Sequence, residues 1–329
     1  MTQEDIAKLA GVSRTTVSRV LNGDPTVKIH SKNKVLEVIE KVGYEKNYIS
    51  STLASKREKI IYAFIVKSKT TYYSKEMRKG LENFQEEYRG FGLKIEIVET
   101  DINSPEKQLA LLEKTLKENE VNGVIITPLL KKEVLELISQ YKNITFITLD
   151  TFLSSEIYHV GSNYFNSGQI SADIAAGILR KFEKALVLKF PGDNVSVDEY
   201  YKGFISSLAE EQLVISFETK DILKEKNFLT NKLSKNIKVI FTNRYVKEII
   251  DINREFLEKK KEIKIIGISG NPEINKFLSS GFLYASVNDQ YSLISYTAVN
   301  LMFNILYKNI KPDLLTLIPS IVLFKSSIY

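Results

Sequence analysis

A chain of 329 residues, 43% of them hydrophobic, is long enough to bury a core in each of two or three folding units. It contains no cysteine, which excludes disulfides, thiol catalysis and thiolate metal sites, and which is compatible with a reducing cytoplasm. Residues 1–59 hold eleven basic and seven acidic side chains, so +4 of the net charge of +6 lies there. We therefore expect an anionic partner to bind the N-terminal region.

The N-terminal sequence MTQEDIAKLAGV carries Glu4 and Asp5 and lacks a basic segment followed by a long apolar run, so we expect no secretory signal. The apolar run IIYAFIV ends at Lys67, well short of the roughly 18 residues that span a bilayer. These features predict a soluble, cytoplasmic protein.

Residues 1–47 carry the apolar spacing of three short helices that share one small core. Gly11 separates the first two helices, the segment NGDP at 22–25 ends the second, and we expect the third over residues 31–42. The apolar positions are Ile6, Leu9 and Ala10 in the first helix, Val17, Val20 and Leu21 in the second, and Val35, Leu36, Val38, Ile39 and Val42 in the third.

Capping residues specify where the first two helices begin. Thr2 followed by Asp5 predicts a capping box, and Ser13 followed by Thr16 predicts a weaker pair of the same kind. Because these caps, the glycine turn and the stop occur in order, the segment predicts a helix-turn-helix that places its second helix against base edges.

Side chains that point away from the core of the second helix are expected to meet DNA. An exposed Arg can bind guanine by two hydrogen bonds, while Thr and Ser can reach a base edge, a thymine methyl or a phosphate. The alternative is a surface helix of a helical bundle with ordinary solvated charges. The outward side chains are Arg14, Thr15, Ser18 and Arg19.

The segment DIAKLAGVSRTTVSRVLNG, followed by Val27, Ser31, Val35 and IEKVGY, resembles the headpiece of the LacI/GalR family of bacterial regulators over residues 2–57. The resemblance implies that Arg14 and Thr15 read bases and that Arg19 and Asn22 belong to the shared frame. It also implies that Leu53 is the apolar wedge of a hinge helix that enters the minor groove. An exposed leucine without a task is the alternative for Leu53.

Two positions depart from the family pattern. Lys28 stands where Ser or Thr usually caps the third helix, so that helix is expected to start less firmly. Lys46 stands where Pro is common in the linker.

The family further implies a homodimer that reads a pseudo-palindromic operator, with helices of the first lobe forming much of the interface. The full expected DNA-binding set is Ser13, Arg14, Thr15, Thr16, Ser18, Arg19, Asn22, Lys28, Leu53 and Lys56.

From Ile60 onward, short apolar runs alternate with longer amphipathic segments, a pattern that predicts parallel sheets with helices on both faces. The expected fold is therefore α/β, a small all-α headpiece followed by two doubly wound lobes. We expect a headpiece over 1–47, a hinge helix or linker over 48–59, and a ligand-sensing domain over 60–329. Its first lobe spans about 60–161 and 289–320 and its second about 162–286. The nine runs are IIYAFIV, LKIEIV, GVIIT, ITFITL, ALVLKF, LVISF, IKVIF, IKIIGI and LYASV.

This second part resembles the type I periplasmic-binding-protein fold in the order of its segments, among them GVIITP, ITFITLDT and HVGSNYFNSGQISADIAAGIL. The resemblance implies a ligand site between the lobes, at the carboxyl ends of the strands. Asp198 stands where many members have an Arg, which argues against a carboxylate or phosphate ligand. A neutral sugar, a polyol or a cationic ligand fits better. The implied ligand-binding residues are Tyr73, Asp150, Asp198, Asn243, Ser269, Asp289 and Gln290.

Four of these residues also have a structural explanation. Asp150 and Asn243 could cap following helices, Asp198 could be an acid favoured at a helix start, and Tyr73 could be a core residue.

We expect no enzyme, no cofactor and no metal site. The only histidines are His30 and His159, and the motifs GxSxG, HExxH, GxGxxG and the Walker loop are absent. A ligand carrier for a transporter is the other alternative, but the headpiece and the missing export signal argue against it. The sequence therefore predicts a transcription regulator, a repressor whose operator affinity a small ligand controls.

Overall fold

The computed structural model describes residues 2–21, 24–43, 58–67, 72–190, 195–268 and 272–328. The chain forms two compact units, a headpiece within Met1–Glu58 and a sensor domain built on Lys59–Arg89 and Leu93–Tyr329.

The headpiece contains the three expected helices, α1 (Gln3–Ala10), α2 (Arg14–Leu21) and α3 (Ile29–Val42). Their shared core is buried, as the apolar spacing requires, and comprises Ile6, Ala7, Ala10, Val17, Val20 and Val35. Gly11 and Gly43 end α1 and α3 in the left-handed backbone conformation that glycine adopts without strain. This small core holds α2 by its apolar face and leaves the opposite face exposed.

Three details of the headpiece differ from the sequence prediction. The helix α3 begins at Ile29, two residues before the expected start, although Lys28 makes no side-chain cap hydrogen bond. Leu9 and Leu36, expected in the core, are 59% and 45% exposed. Helices this short bury only a narrow stripe, so apolar residues at its margin stay in contact with water.

The sensor domain contains twelve strands within the described residues. They are β1 (Lys59–Lys67), β2 (Leu93–Asp101), β3 (Gly123–Ile126), β4 (Thr145–Leu149), β5 (Tyr158–Ser162), β6 (Lys184–Lys189), β7 (Leu213–Phe217), β8 (Ile237–Thr242), β9 (Lys264–Gly267), β10 (Leu283–Asn288), β11 (Leu315–Ile318) and β12 (Ile321–Phe324).

The α-helices of the sensor domain are numbered on from those of the headpiece. They are α4 (Tyr72–Glu87), α5 (Pro105–Glu118), α6 (Lys131–Ile138), α7 (Tyr164–Ile178), α8 (Val195–Ser206), α9 (Leu229–Lys232), α10 (Val246–Ile252), α11 (Arg254–Lys259), α12 (Pro272–Ser280) and α13 (Tyr291–Lys308).

The strands form two six-stranded sheets, one in each lobe. The first has the order β11-β5-β4-β3-β1-β2 and is wholly parallel. The second has the order β12-β10-β9-β8-β6-β7, in which only β12 is antiparallel to its neighbour. Both orders reverse direction around the first strand of their lobe, as in doubly wound folds, so the α/β prediction is confirmed.

All nine predicted apolar runs coincide with strands. The runs of the inner strands are buried on both faces of a sheet, whereas the edge strands β2 and β7 keep exposed positions. Three further strands were not predicted. Strand β5 ends in the small residues Gly161 and Ser162, while β11 and β12 are four-residue edge strands with exposed positions. Strand β12 also returns to the second sheet, so the second lobe extends beyond the expected segment 162–286.

Two helix pairs of the sensor domain pack so closely that each contact requires a glycine. A Cβ on Gly80 of α4 would lie 2.0 Å from the carbonyl oxygen of Ser292 in α13. A Cβ on Gly168 of α7 would lie 2.1 Å from that of Tyr200 in α8. Only glycine permits these approaches, which hold the middle of α4 against the start of α13 and hold α7 against α8.

Candidate functional sites

Helix α2 presents a polar and basic face. Arg14, Thr15 and Arg19 are exposed, whereas Val17 and Val20 on the opposite face are buried. Thr16 and Ser18 are partly exposed and Ser13 is exposed. The guanidinium of Arg19 lies 3.9 Å from the Asp24 carboxylate, which leaves its other donors accessible.

The cap of α2 forms as the sequence predicts. The Ser13 hydroxyl oxygen accepts a hydrogen bond from the Thr16 backbone N–H at 3.1 Å, and the two hydroxyls are 2.9 Å apart. At the start of α1, Thr2 and Asp5 form the full capping box. Lys28 is exposed at the start of α3, where an ammonium can meet a phosphate. Asn22, Leu53 and Lys56 lie outside the described residues.

Asp150 lies at the carboxyl end of β4 and has a φ of 59°, a left-handed conformation that is uncommon outside glycine. Its backbone N–H donates to the Val160 carbonyl at 3.0 Å. No helix follows, because the chain continues directly to β5, so Asp150 does not cap a helix. The unusual φ at a strand end is typical of a functional position.

Two carboxyl groups and three tyrosines form one cluster, which we call the inter-lobe cluster: Tyr73, Asp150, Tyr164, Asp289 and Tyr291. The Tyr164 hydroxyl donates to Asp150 Oδ1 at 2.7 Å, and the Tyr291 hydroxyl donates to Asp289 Oδ2 at 3.3 Å. The rings of Tyr73 and Tyr291 meet edge to face, with centroids 4.9 Å apart. All five side chains are half-buried, so the cluster remains accessible to a small molecule.

The cluster lies where the chain crosses between the two sheets. Tyr164 follows the first crossover, from β5 to α7, and Asp289 and Tyr291 belong to the second, from β10 to α13. Ser320, in the third crossover from β11 to β12, donates to Asp289 Oδ1 at 3.3 Å and lies 2.6 Å from the Ser167 hydroxyl. A change in these hydrogen bonds would therefore act on the hinge between the lobes.

Burial, together with the nearby Asp289 carboxylate, raises the pKa of the Asp150 carboxyl to about 7, against the opposing effect of the hydrogen bond from the Tyr164 hydroxyl. Burial also raises the pKa of Asp289. Burial lowers the pKa of His159, in the neighbouring strand β5, to about 4, and its Nδ1 lies 2.9 Å from the Thr148 hydroxyl. A neutral, hydrogen-bonded imidazole of this kind is a structural side chain.

The remaining expected ligand residues lie elsewhere at the strand ends. Asn243, after β8, donates from Nδ2 to the Val197 carbonyl at 3.0 Å, and its Oδ1 is buried with no hydrogen-bond partner among the described residues. Asp198, in the first turn of α8, lies 3.9 Å from Lys189 Nζ. Gln290 donates to the Pro319 carbonyl at 2.8 Å, and Ser269 lies outside the described residues.

The structure thus brings together Tyr73, Asp150 and Asp289 but not Asp198. Because the Lys189 ammonium lies within ion-pair distance of Asp198, that acid alone does not argue against an anionic ligand. The argument now rests on Asp150 and Asp289. Sequence reasoning missed Tyr164 and Tyr291. Each follows a polar strand-end residue directly, in the pairs NY and QY, and that spacing was the available signal.

A helix-turn-helix headpiece followed by two doubly wound lobes with three crossovers defines a regulator with a sensor of the type I periplasmic-binding-protein class. Comparison with family models agrees. Residues 62–309 match the periplasmic binding protein domain, and residues 2–47 match the bacterial regulatory proteins of the lacI family. The chain thus joins a headpiece that matches the lacI family of bacterial regulatory proteins to a domain that belongs to the periplasmic binding protein family and makes up most of its length.

Similar proteins include catabolite control protein A of Staphylococcus aureus, 30% identical over 185 residues that cover 56% of this chain and 54% of that protein. Catabolite control protein A of Priestia megaterium is 37% identical over 121 residues, which are 37% of this chain and 35% of that protein. The chain spans about half the length of the first of these curated relatives and about a third of the second.

Among solved structures, a lac repressor dimer bound to operator and an anti-inducer aligns with a TM-score of 0.63 and 16% identity, covering 100% of this chain and 99% of that one. A periplasmic ribose transporter protein of Conexibacter woesei aligns with a TM-score of 0.69 and 15% identity over 82% and 93% of the two chains. At these identities the likeness shows the fold alone. Within the described residues, no helix is both long and apolar enough to cross a membrane.

Proposed function

We propose that the protein is a sequence-specific DNA-binding repressor of transcription whose operator affinity changes when a small ligand binds between the two lobes. The observation that carries the proposal is the face of α2. Arg14, Thr15 and Arg19 project from a helix that is capped at its start and anchored by buried Val17 and Val20. A recognition helix needs such a rigid base and outward donors.

A single copy of this headpiece presents only one recognition helix. We propose a homodimer in which each headpiece reads one half-site of a pseudo-palindromic operator. By analogy with the family, helices of the first lobe form much of the interface. Since DNA is the proposed partner, we also propose that the protein acts in the cytoplasm.

The effector we propose is a polyhydroxylated small molecule, a sugar or a polyol. The inter-lobe cluster offers carboxyl and tyrosine oxygens that can accept or donate hydrogen bonds to hydroxyl groups, beside aromatic rings that can pack on a sugar ring. Two solved proteins with the same fold are described as binding D-arabinose and tagatopyranose, which supports a sugar here.

The DNA-binding proposal is tested by measuring affinity for an operator selected from random duplexes, and for its single-base variants. We expect Arg14→Ala to relax the preference at one or two base pairs, at about 1 to 3 kcal/mol. Lys28→Ala should instead weaken binding to all DNA sequences alike. It should also reduce the slope of log affinity against log salt concentration, the salt slope, by about one unit. An equal loss at every base pair for Arg14→Ala would show that Arg14 does not read bases.

The effector proposal is tested with a ligand found by thermal shift, since a ligand that binds the native state raises its melting temperature. We expect Asp150→Ala to lose the response of operator affinity to that ligand. Coupling requires different ligand affinities in the two lobe arrangements, and the hinge position of the cluster supplies a route to such a difference. An Asp150→Ala variant that responds at the same ligand concentration would place the site elsewhere.

A further inference from the structure

The two acids of the inter-lobe cluster have neutral partners. Asp150 accepts hydrogen bonds from the hydroxyls of Tyr164 and Tyr73 and from the Ser162 backbone N–H, and Asp289 accepts from Tyr291 and Ser320. Within the part of the chain that the structure describes, neither carboxyl group forms an ion pair with Lys or Arg. By contrast, the buried Glu218 of the second lobe pairs with Lys232 at 2.7 Å.

Two carboxylates held close together at a partly dehydrated site repel each other. Burial raises the pKa of each carboxyl group, and the Asp289 carboxylate also raises that of Asp150. The two acids are linked through the contact between the rings of Tyr73, which binds Asp150, and Tyr291, which binds Asp289. A buried carboxylate pair gains a large stabilisation when one positive charge lies between its members, and hydroxyl donors alone supply only part of it.

The rings around the acids favour the same kind of ligand group. Tyr73 and Tyr291 meet edge to face beside the acids, and Tyr164 reaches Asp150 from the other lobe. Aromatic faces attract ammonium groups electrostatically, so three tyrosine rings beside two acids favour a cationic ligand group.

A third observation comes from the second lobe. Strands β8 and β10 are parallel members of one sheet, so Asn243 and Asp289, which follow them, lie at the same sheet edge. The buried Oδ1 of Asn243 is an acceptor without a donor among the described residues. The unused hydrogen-bond acceptors at this sheet edge therefore favour a ligand rich in hydrogen-bond donors.

We propose that the effector carries a protonated amine beside its hydroxyl groups, that is, a small amino sugar whose ammonium group lies between Asp150 and Asp289. The hydroxyl groups of that ligand would bind the tyrosines and Asn243. This proposal rests on the function proposed above, because it assigns the charge of the ligand that the same site binds.

The test is calorimetric titration of the full chain with D-glucose, D-galactose and D-mannose, each beside its 2-amino-2-deoxy and its N-acetylated counterpart. The N-acetyl compound keeps a substituent at the same carbon but lacks the charge, so the set separates charge from shape. We expect at least one amino sugar to bind at least tenfold more tightly than both of its neutral counterparts. Binding of the neutral sugars as tight as that of the amino sugars, or binding of none of the amino sugars, overturns the proposal.

Asp289→Asn and Asp150→Asn each remove one charge and keep the side-chain shape, and both should abolish the tenfold preference. The matched control is Asp173→Asn, which removes an exposed acid of α7 outside the cluster and should retain the preference. Melting temperatures of all variants establish that they fold, and a preference that survives in both cluster variants contradicts the proposal. Operator binding measured on the same preparations tests the proposed function separately, because calorimetry with sugar requires no DNA.

Discussion

In the headpiece, the side chains proposed to meet DNA come mainly from one eight-residue helix, whereas the inter-lobe cluster draws on residues from Tyr73 to Tyr291, more than 200 positions apart. The face of α2 is determined by spacing within that helix and by its caps. The cluster instead exists only after two sheets have formed and three crossovers have met. The first site is thus local in the sequence, and the second depends on tertiary packing.

This difference has an energetic consequence. The headpiece surface depends on a small core and on hydrogen bonds of helix ends, each of which contributes about 1 kcal/mol. The cluster depends on close approaches between helices, where a single added methyl group has nowhere to go. Substitutions that alter packing should therefore lower the stability of the sensor domain most. Substitutions of caps should change the stability of the headpiece by smaller amounts.

Helix α7 allows the packing argument to be tested with one substitution at two glycines. A Cβ at Gly168 would lie 2.1 Å from the Tyr200 carbonyl oxygen, whereas a Cβ at Gly177 would have no atom within 4 Å. We expect Gly168→Ala to lower the free energy of unfolding of the sensor domain by about 3 kcal/mol, because α7 and α8 must separate. Gly177→Ala should raise it by about 0.5 to 1 kcal/mol through helix propensity.

Urea unfolding of both variants measures these changes. Equal effects at the two positions would mean that α7 and α8 are not held at the described distance. The loss at Gly168 should also weaken ligand binding, since α7 begins at Tyr164 and carries that hydroxyl to Asp150.

The second prediction concerns pH. The Asp150 carboxyl has a pKa of about 7 in the folded protein, against an ordinary value of 3.8, so the folded state binds this proton more tightly than the unfolded chain. Its contribution to stability is therefore present below about pH 4 and is lost as the pH rises through 7. Asp150→Asn removes the charge, and we expect it to be more stable than wild type at pH 8, by on the order of 2 kcal/mol.

Unfolding in urea at pH 5 and at pH 8 provides the measurement. The free energy of unfolding of Asp150→Asn should exceed that of wild type by a larger amount at pH 8 than at pH 5. The same difference at both values would show that the carboxyl is not buried as described, and would also weaken the electrostatic basis for an ammonium ligand.

The sequence predicts features that are local in the chain better than features that depend on tertiary packing. Apolar runs predict nine strands, and the spacing of Ile6, Val17 and Val20 predicts the headpiece core. Strands β11 and β12 escape prediction because short edge strands expose alternate residues and carry little pattern. Asp150 and Asp289 are found by their positions at strand ends, but Tyr164 joins them only through the crossover geometry. The pairing of Asp198 with Lys189 likewise depends on a contact between a strand and a helix.

The last and smallest effect concerns Lys28, where two roles can be separated. Lys28 precedes α3 and provides no side-chain cap, in contrast to Thr2 and Ser13 at the other two helices. A serine there could accept a hydrogen bond from the second or third backbone N–H of α3, so we expect Lys28→Ser to stabilise that helix by about 1 kcal/mol. Lys28→Ala is the matched control, because it removes the same charge and adds no cap.

Amide hydrogen exchange of α3 in the full chain measures the stability, and operator titrations over a range of salt concentrations measure the charge effect. Both variants should reduce the salt slope by about one unit, but only Lys28→Ser should slow exchange in α3. If the serine slows exchange and leaves the salt slope unchanged, Lys28 does not contact phosphate. The departure of this position from the family pattern would then have only a structural effect, and Lys28 would leave the proposed DNA-binding set.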